Sequence, residues 1–214
     1  MRKGLPDEDD KDEKMNIAVF ASGRGTNFAA IIRAVKKGRI KANLSLLVCD
    51  NPAAGAIAKA KRAKIKVILV KREDFTSKRN FELKIAEHLE KEDIGLIVLA
   101  GFMRLLSPEF VVRYRQRIMN IHPALLPSFK GTSGIKDAFE YGVKVTGVTV
   151  HLVDEQMDHG PIIIQEALKI NESDTLEALE EKIHKIEHRI YPEAVRLFTE
   201  GKLKIEGRKV RVIA

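Results

Sequence analysis

The chain has 214 residues, 44% of them apolar, with one cysteine and a formal charge of +8. That is enough to bury a sizeable core in one domain or two small ones, and a lone cysteine, Cys49, excludes an intramolecular disulfide. The basic residues are scattered rather than gathered in one stripe with interleaved aromatics, so the charge suits small anionic substrates better than nucleic acid.

Residues 1–14 mix acidic residues with lysines and lack an apolar core, which excludes a secretory signal; they read as a disordered extension ahead of an effective start at Met15. Asn16 to Ala21 reads as a strand, Ser22 to Asn27 as a glycine loop, and the stretch carrying Phe28, Ile31, Ile32 and Val35 as a helix. The alternation continues with strand 44–49, helix 53–63, strand 67–70, helix 78–91 and strand 95–100. Strands alternating with helices predict parallel βαβ units in a doubly wound sheet. The longest apolar run, Ile94 to Met103, is about half the roughly 20 residues a membrane helix needs. A helix from Pro108 to about Tyr114 and a strand 118–121 follow. Beyond His122 a helix near 135–141 precedes two strands, 146–153 and 161–168, which read as antiparallel additions. Residues 175–199 form a long closing helix, and 202–206 with 209–213 a terminal hairpin. The expected organisation is a single domain over 15–214, with a nucleotide-phosphate half (15–115) and a catalytic half (116–214).

Four segments carry chemistry. The glycine loop lets backbone N–H groups approach an anion at a helix N-terminus, with Ser22 and Thr26 as further donors. It matches neither the dinucleotide fingerprint, because Phe28 stands where the third glycine belongs, nor the triphosphate loop, so a single phosphate is the simpler guest. Gly101 to Leu106 follows the fourth strand at the sheet's carboxyl edge, where open α/β sheets bind ligands, and could grip a flat heteroaromatic ring. Asn120 and His122 share one side of a strand end, an amide able to donate to an oxyanion beside an imidazole able to exchange a proton. Asp154 to Gly160 supplies a carboxylate to raise the pKa of His122; Asp158 is chosen, with Asp154 and Glu155 as alternatives. No nucleophile loop is present, and His184 with His188 lacks the pattern of a metal site.

The loop Ala21 to Asn27, the run Leu99 to Leu106 (LAGFMRLL), Asn120 to Pro127 (NIHPALLP) and Asp154 to Gly160 together resemble the glycinamide ribonucleotide formyltransferase family, in its order and at its spacing, over Met15 to Leu203. The resemblance implies a Rossmann-like formyltransferase fold and transfer of a formyl group from the co-substrate 10-formyltetrahydrofolate, with neither ATP nor metal. It places Gly25, Thr26 and Asn27 at the ribonucleotide phosphate, and His184, Lys185, Ile186 and Glu187 at the rest of that substrate. It puts Met103, Arg104, Leu105, Leu106, Asn120, Asp154, Glu155, Gln156, Met157 and Asp158 around the folate, with Lys78 toward its glutamate tail. The catalytic trio falls on Asn120, His122 and Asp158. Small-molecule partners, a cytoplasmic location and a monomer or weak homodimer are implied; no membrane or nucleic-acid partner is.

Two departures from the family pattern stand out. Lys130 replaces a common proline ahead of a variant stretch 132–135, and His159 replaces a smaller residue. Two related folate enzymes, methionyl-tRNA formyltransferase and formyltetrahydrofolate deformylase, are expected to carry a further domain, for which this chain leaves no room. A nicotinamide oxidoreductase is disfavoured by Phe28.

Overall fold

In the computed structural model, residues 14–213 are described. The chain runs β1 (Asn16–Phe20), α1 (Thr26–Lys36), β2 (Asn43–Cys49), α2 (Gly55–Ala63), β3 (Lys66–Leu69), α3 (Lys78–Lys91), β4 (Ile94–Leu99), α4 (Pro108–Arg113), β5 (Ile118–His122), α5 (Gly134–Tyr141), β6 (Val145–Leu152), β7 (Ile162–Lys169), α6 (Leu176–Thr199), β8 (Leu203–Glu206) and β9 (Lys209–Val212). Among the described residues all nine strands form one sheet, in the order β3-β2-β1-β4-β5-β6-β7-β9-β8. The first five strands pair in parallel, β6 runs antiparallel to β5, and β7 antiparallel to β6. This is the doubly wound, mostly parallel sheet with antiparallel additions that the alternation of patterns predicts. The expected extension at residues 1–14 falls, except for Lys14, outside the described residues.

The strands read as continuous apolar runs because both sheet faces are covered. One face packs Ile17, Val19, Leu47, Leu96 and Val98 against Phe28 and Ile31 of α1 and Ile183, Ile186 and Ile190 of α6. The other packs Ala18, Phe20, Val48 and Ile97 against Phe81, Ile85 and Leu89 of α3 and Phe110 of α4. No helix among the described residues is long and apolar enough to cross a membrane.

Hydroxyls begin three of the helices. Ser77, Ser107 and Thr175 each accept from a backbone N–H three residues on, capping α3, α4 and α6, and Pro108 occupies the first turn of α4 where its missing N–H costs nothing. α1 differs, beginning at Gly25 with φ 69°, no side-chain cap and no acidic residue in its first turn. A side chain at Gly25 would be both strained and 2.8 Å from Cβ of Ala56, so only glycine lets α1 and α2 approach so closely.

Tyr191 of α6 is wholly buried, and its hydroxyl lies 2.7 Å from the carbonyl oxygen of Leu99 in β4 and 3.0 Å from that of Met119 in β5, its one proton shared between them. This bond ties the closing helix to the strands that carry the site. Tyr191→Phe is expected to cost about 1–3 kcal/mol, seen in thermal unfolding as about 2–4 °C for each kcal/mol.

Candidate active site

β1 and β4 are neighbours from which the chain leaves in opposite directions, so the sheet has its topological switch point between them, at the carboxyl edge. Three loops meet there. Ser22 N donates to Gly101 O (3.0 Å) and Met103 N donates to Ser22 Oγ (2.9 Å), which joins the β1–α1 loop to the segment after β4. Ser22, expected as a phosphate donor, thus serves as an acceptor inside the protein.

The pairing of β5 with β6 builds the end where the expected catalytic residues lie. Asn120 lies opposite His151, and His122 opposite Thr149. Buried Thr149 donates to Ala124 O (2.7 Å) and accepts from Leu126 N (3.1 Å), fixing the turn after His122. His122 is 3% exposed, and its Nε2–H donates to Phe129 O at 2.7 Å. That bond sets the tautomer and leaves Nδ1 facing Asp158 Oδ2 at 3.5 Å. In the neutral ring both of those atoms are acceptors, so the gap between them is suited to a proton donor.

Asp158 reaches this place on a loop, with φ 48°, and its Oδ2 also accepts from Gly131 N at 2.8 Å. His151, 2% exposed, donates from Nδ1 to Leu152 O (2.8 Å). Its Nε2 therefore accepts from Asn120 Nδ2 at 3.2 Å, and that amide makes a longer contact of 3.5 Å to Asp158 Oδ1. Asn120, His122 and Asp158 are thus gathered, together with His151, which the sequence reading missed. A signal for it exists: Thr149 and His151 are polar at a spacing of two in an otherwise apolar run, the pattern of buried groups with a task on one strand face.

Burial is the largest influence on His122 and lowers its pKa; Asp158 and Phe129 O act the other way and do not outweigh it. The expected rise in the His122 pKa is therefore corrected to a fall. For Asp158 burial again acts first, upward, but His151, Gly131 N–H and His122 together hold the carboxyl below its ordinary value.

The residues expected at the anion lie between α1 and α6. Asn27 Nδ2 donates to Glu187 Oε2 (3.1 Å), which also accepts from His184 Nδ1 (2.9 Å), while Asn27 Oδ1 is buried without a partner. The hydrogen bond to Glu187 raises the pKa of His184. Gly25 and Thr26 stand at the open end of α1, Ile186 packs into the core, and Lys185 is exposed, turned about 200° from Glu187 around the helix.

On the remaining side, Met103 and Leu105 are exposed, Leu106 is buried, and Arg104 Nε donates to Asp50 Oδ2 at 2.6 Å. Lys78 borders a cavity of about 620 Å3 between α3 and α4, with Arg79, Ser107 and Phe110. Glu155 pairs with Arg115 at 2.5 Å, and Gln156 and Met157 are exposed. Asp154, predicted at the folate, turns both oxygens inward, accepting from Gln156 N (3.1 Å) and His159 Nδ1 (2.7 Å).

A buried imidazole with a partly buried amide and carboxylate at the carboxyl edge of an open α/β sheet, beside an uncapped helix N-terminus, equip this site to add a nucleophile to a carbonyl and move the proton released. Comparison with known proteins assigns such a family: the Formyl transferase model matches residues 15–195, and the chain belongs to that family. It is 46% identical to the phosphoribosylglycinamide formyltransferase of Bacillus subtilis, over 84% of this chain and 92% of that protein. It is 41% identical to the chicken (Gallus gallus) trifunctional purine biosynthetic protein adenosine-3, over 90% of this chain but only 19% of that much longer protein. The crystal structure of glycinamide ribonucleotide transformylase 1 from Symbiobacterium toebii superposes with a TM-score of 0.91 at 42% identity, covering 94% of this chain and 95% of that one.

Proposed function

We infer that this chain transfers the formyl group of 10-formyltetrahydrofolate to the amine of glycinamide ribonucleotide, a step of purine biosynthesis. The observation that carries the reading is 46% identity across nearly the whole length of a phosphoribosylglycinamide formyltransferase, in a chain whose Asn120, His122 and Asp158 converge on one buried point.

The ribonucleotide phosphate sits at the open N-terminus of α1, on the N–H groups of the Gly25–Asn27 segment. Glu187 and the free Oδ1 of Asn27 accept from its ribose and glycinamide groups, with His184 holding Glu187 in place. The folate ring lies between Met103–Leu106 and the 154–158 segment, and Lys78 faces its glutamate tail.

The amine attacks the formyl carbon, and a C–N bond forms as the carbonyl π pair moves onto oxygen. The proton shed by nitrogen passes into the gap between His122 Nδ1 and Asp158 Oδ2, where two acceptors face each other. The imidazolium so formed, with the Asn120 amide, stabilises the oxyanion. Its weak 3.5 Å contact to Asp158 leaves the Asn120 amide free to turn toward it. Collapse breaks the bond to N10 of the folate, which receives the proton. One formamide is exchanged for another, so the chemistry calls for no phosphoryl donor and no metal.

The test is to mix purified protein with both substrates, without ATP or added metal, and follow the folate spectrum and the formylated ribonucleotide. Product requiring both substrates is expected. Release of formate without the ribonucleotide would replace this reading with a hydrolase, and no folate turnover by folded protein would end it.

A further inference from the structure

Asp158 depends for its position on a seven-residue segment, 154–160, that is poorly supported from below. A cavity of about 190 Å3 lies there, lined among others by Val111, Arg115, Asp154, Glu155 and Arg208. Packing therefore does not fix the segment on that side. Polar links do: Glu155 pairs with Arg115, and the others lead to the chain's last hairpin.

Arg208 stands in the turn between β8 and β9, 49 residues along the chain from His159. Its Nη2 donates to His159 O at 2.6 Å, and its Nη1 lies 3.1 Å from Nε2 and 3.3 Å from Nδ1 of the same residue. Two nearly equal distances set the guanidinium nitrogen over the edge of the ring that joins those atoms. His159 Nδ1 lies 2.7 Å from Asp154 Oδ2, and since a carboxylate only accepts, that ring nitrogen carries the proton. The firm bond from Arg208 is then the one to His159 O, with Nη1 packed against the ring. The sequence Arg208, His159, Asp154 thus closes both ends of the segment onto each other, with Asp158 between them.

The hairpin itself is lightly attached. β9 joins the sheet through one bridged pair, Ile162 with Lys209, and the ion pairs of Glu206 stay within the hairpin. Arg208 is therefore its main polar link to the rest of the site.

We propose that Arg208 and His159 are positioning residues for the transfer reaction, holding the 154–160 segment so that Asp158 meets His122 and Asn120. The proposal rests on the functional reading above. It predicts a larger effect on turnover than two half-exposed contacts have on stability, because a carboxylate displaced by a fraction of an ångström loses its part in the reaction.

Arg208→Ala is expected to lower kcat about five- to tenfold, with KM for the ribonucleotide and thermal midpoint nearly unchanged. Arg208→Lys, which still donates to His159 O, recovers part of the loss. The double variant His159→Ala with Arg208→Ala is no worse than Arg208→Ala, since both act through one link. Lys204→Ala, elsewhere on the hairpin, keeps wild-type turnover. Amide hydrogen exchange across 154–160 accelerates in Arg208→Ala, a readout that stands even if the wild-type chain proves to have another activity. Wild-type kcat in Arg208→Ala, multiplicative losses in the double variant, or unchanged exchange across 154–160 would each overturn the proposal.

Discussion

Asp158→Asn is expected to lower kcat by about 10²–10⁴-fold, the range attributable to proton transfer by a positioned side chain, while both substrates still bind. The asparagine keeps the shape and can still accept from Gly131 N, so the segment stays in place. What it removes is the negative charge on the oxygen across from His122 Nδ1, the same oxygen that meets Gly131 N. A neutral amide oxygen is a far weaker base than a carboxylate, and the imidazolium that forms as the amine attacks loses its counter-charge. His122→Ala is expected to be comparably slow, and the two together little worse than either, because they handle the same proton.

The pH dependence follows from the directions of the two shifts. Burial holds the His122 pKa below its ordinary 6.5, so near neutrality the ring is unprotonated and ready to accept. The acid limb of kcat/KM, which reports the free enzyme, is expected below pH 6.5 and is lost in His122→Ala. For stability the sign is the same at both groups. Between the folded and unfolded pKa values of His122 the unfolded chain binds more protons, so stability falls as pH drops below 6.5. Asp158, held below its ordinary 3.8, contributes stability that is present above that value and lost as pH falls through its folded pKa.

Much of this was legible in the sequence, for physical reasons that can be named. Strands buried on both faces must be apolar throughout, and each was bounded by a helix with its own period, so β1 to β5 and α1 to α4 stood out. Asn120 and His122 were legible because two polar groups at a spacing of two close an apolar strand. His151 carries the same signal, but its role depends on lying opposite Asn120, and register is not written in either strand alone. The choice among Asp154, Glu155 and Asp158 had to wait for the loop, where a left-handed residue turns Asp158 inward and Asp154 is spent on His159. The fall in the His122 pKa was missed because a neighbouring carboxylate can be guessed from sequence, whereas the degree of burial cannot. Arg208 gave no local signal, being one basic residue in a charged hairpin. Its meaning lies in a contact across 49 residues.

Gly160→Ala is expected to reduce kcat by about 100-fold or more, from a position that touches no reacting atom. The backbone at Gly160 lies so close to β6 that a methyl group would overlap Leu152 O and stand 2.8 Å from its carbonyl carbon and 3.2 Å from Asp154 N. All of these are backbone atoms, which cannot swing aside as a flexible side chain could. Leu152 N is itself bonded to Pro161 O at 2.8 Å, so the strand end and the loop end must part together. The displacement passes to Asp158 two residues away, and a shift of about 1 Å at a reacting group is enough for a loss of this size. Stability is expected to fall by about 1–3 kcal/mol, as for other overpacked sites. Gly38→Ala separates the effect from the general strain of losing a glycine. Gly38 has φ +70° with open space around it, so its substitution should cost stability by strain and leave kcat unchanged. Kinetics of the two variants beside their thermal unfolding decide the matter. If Gly160→Ala turns over at the wild-type rate, the segment has more freedom than the site geometry allows. Asp158 would then be held by the Gly131 N–H and the Asn120 amide rather than by its own loop.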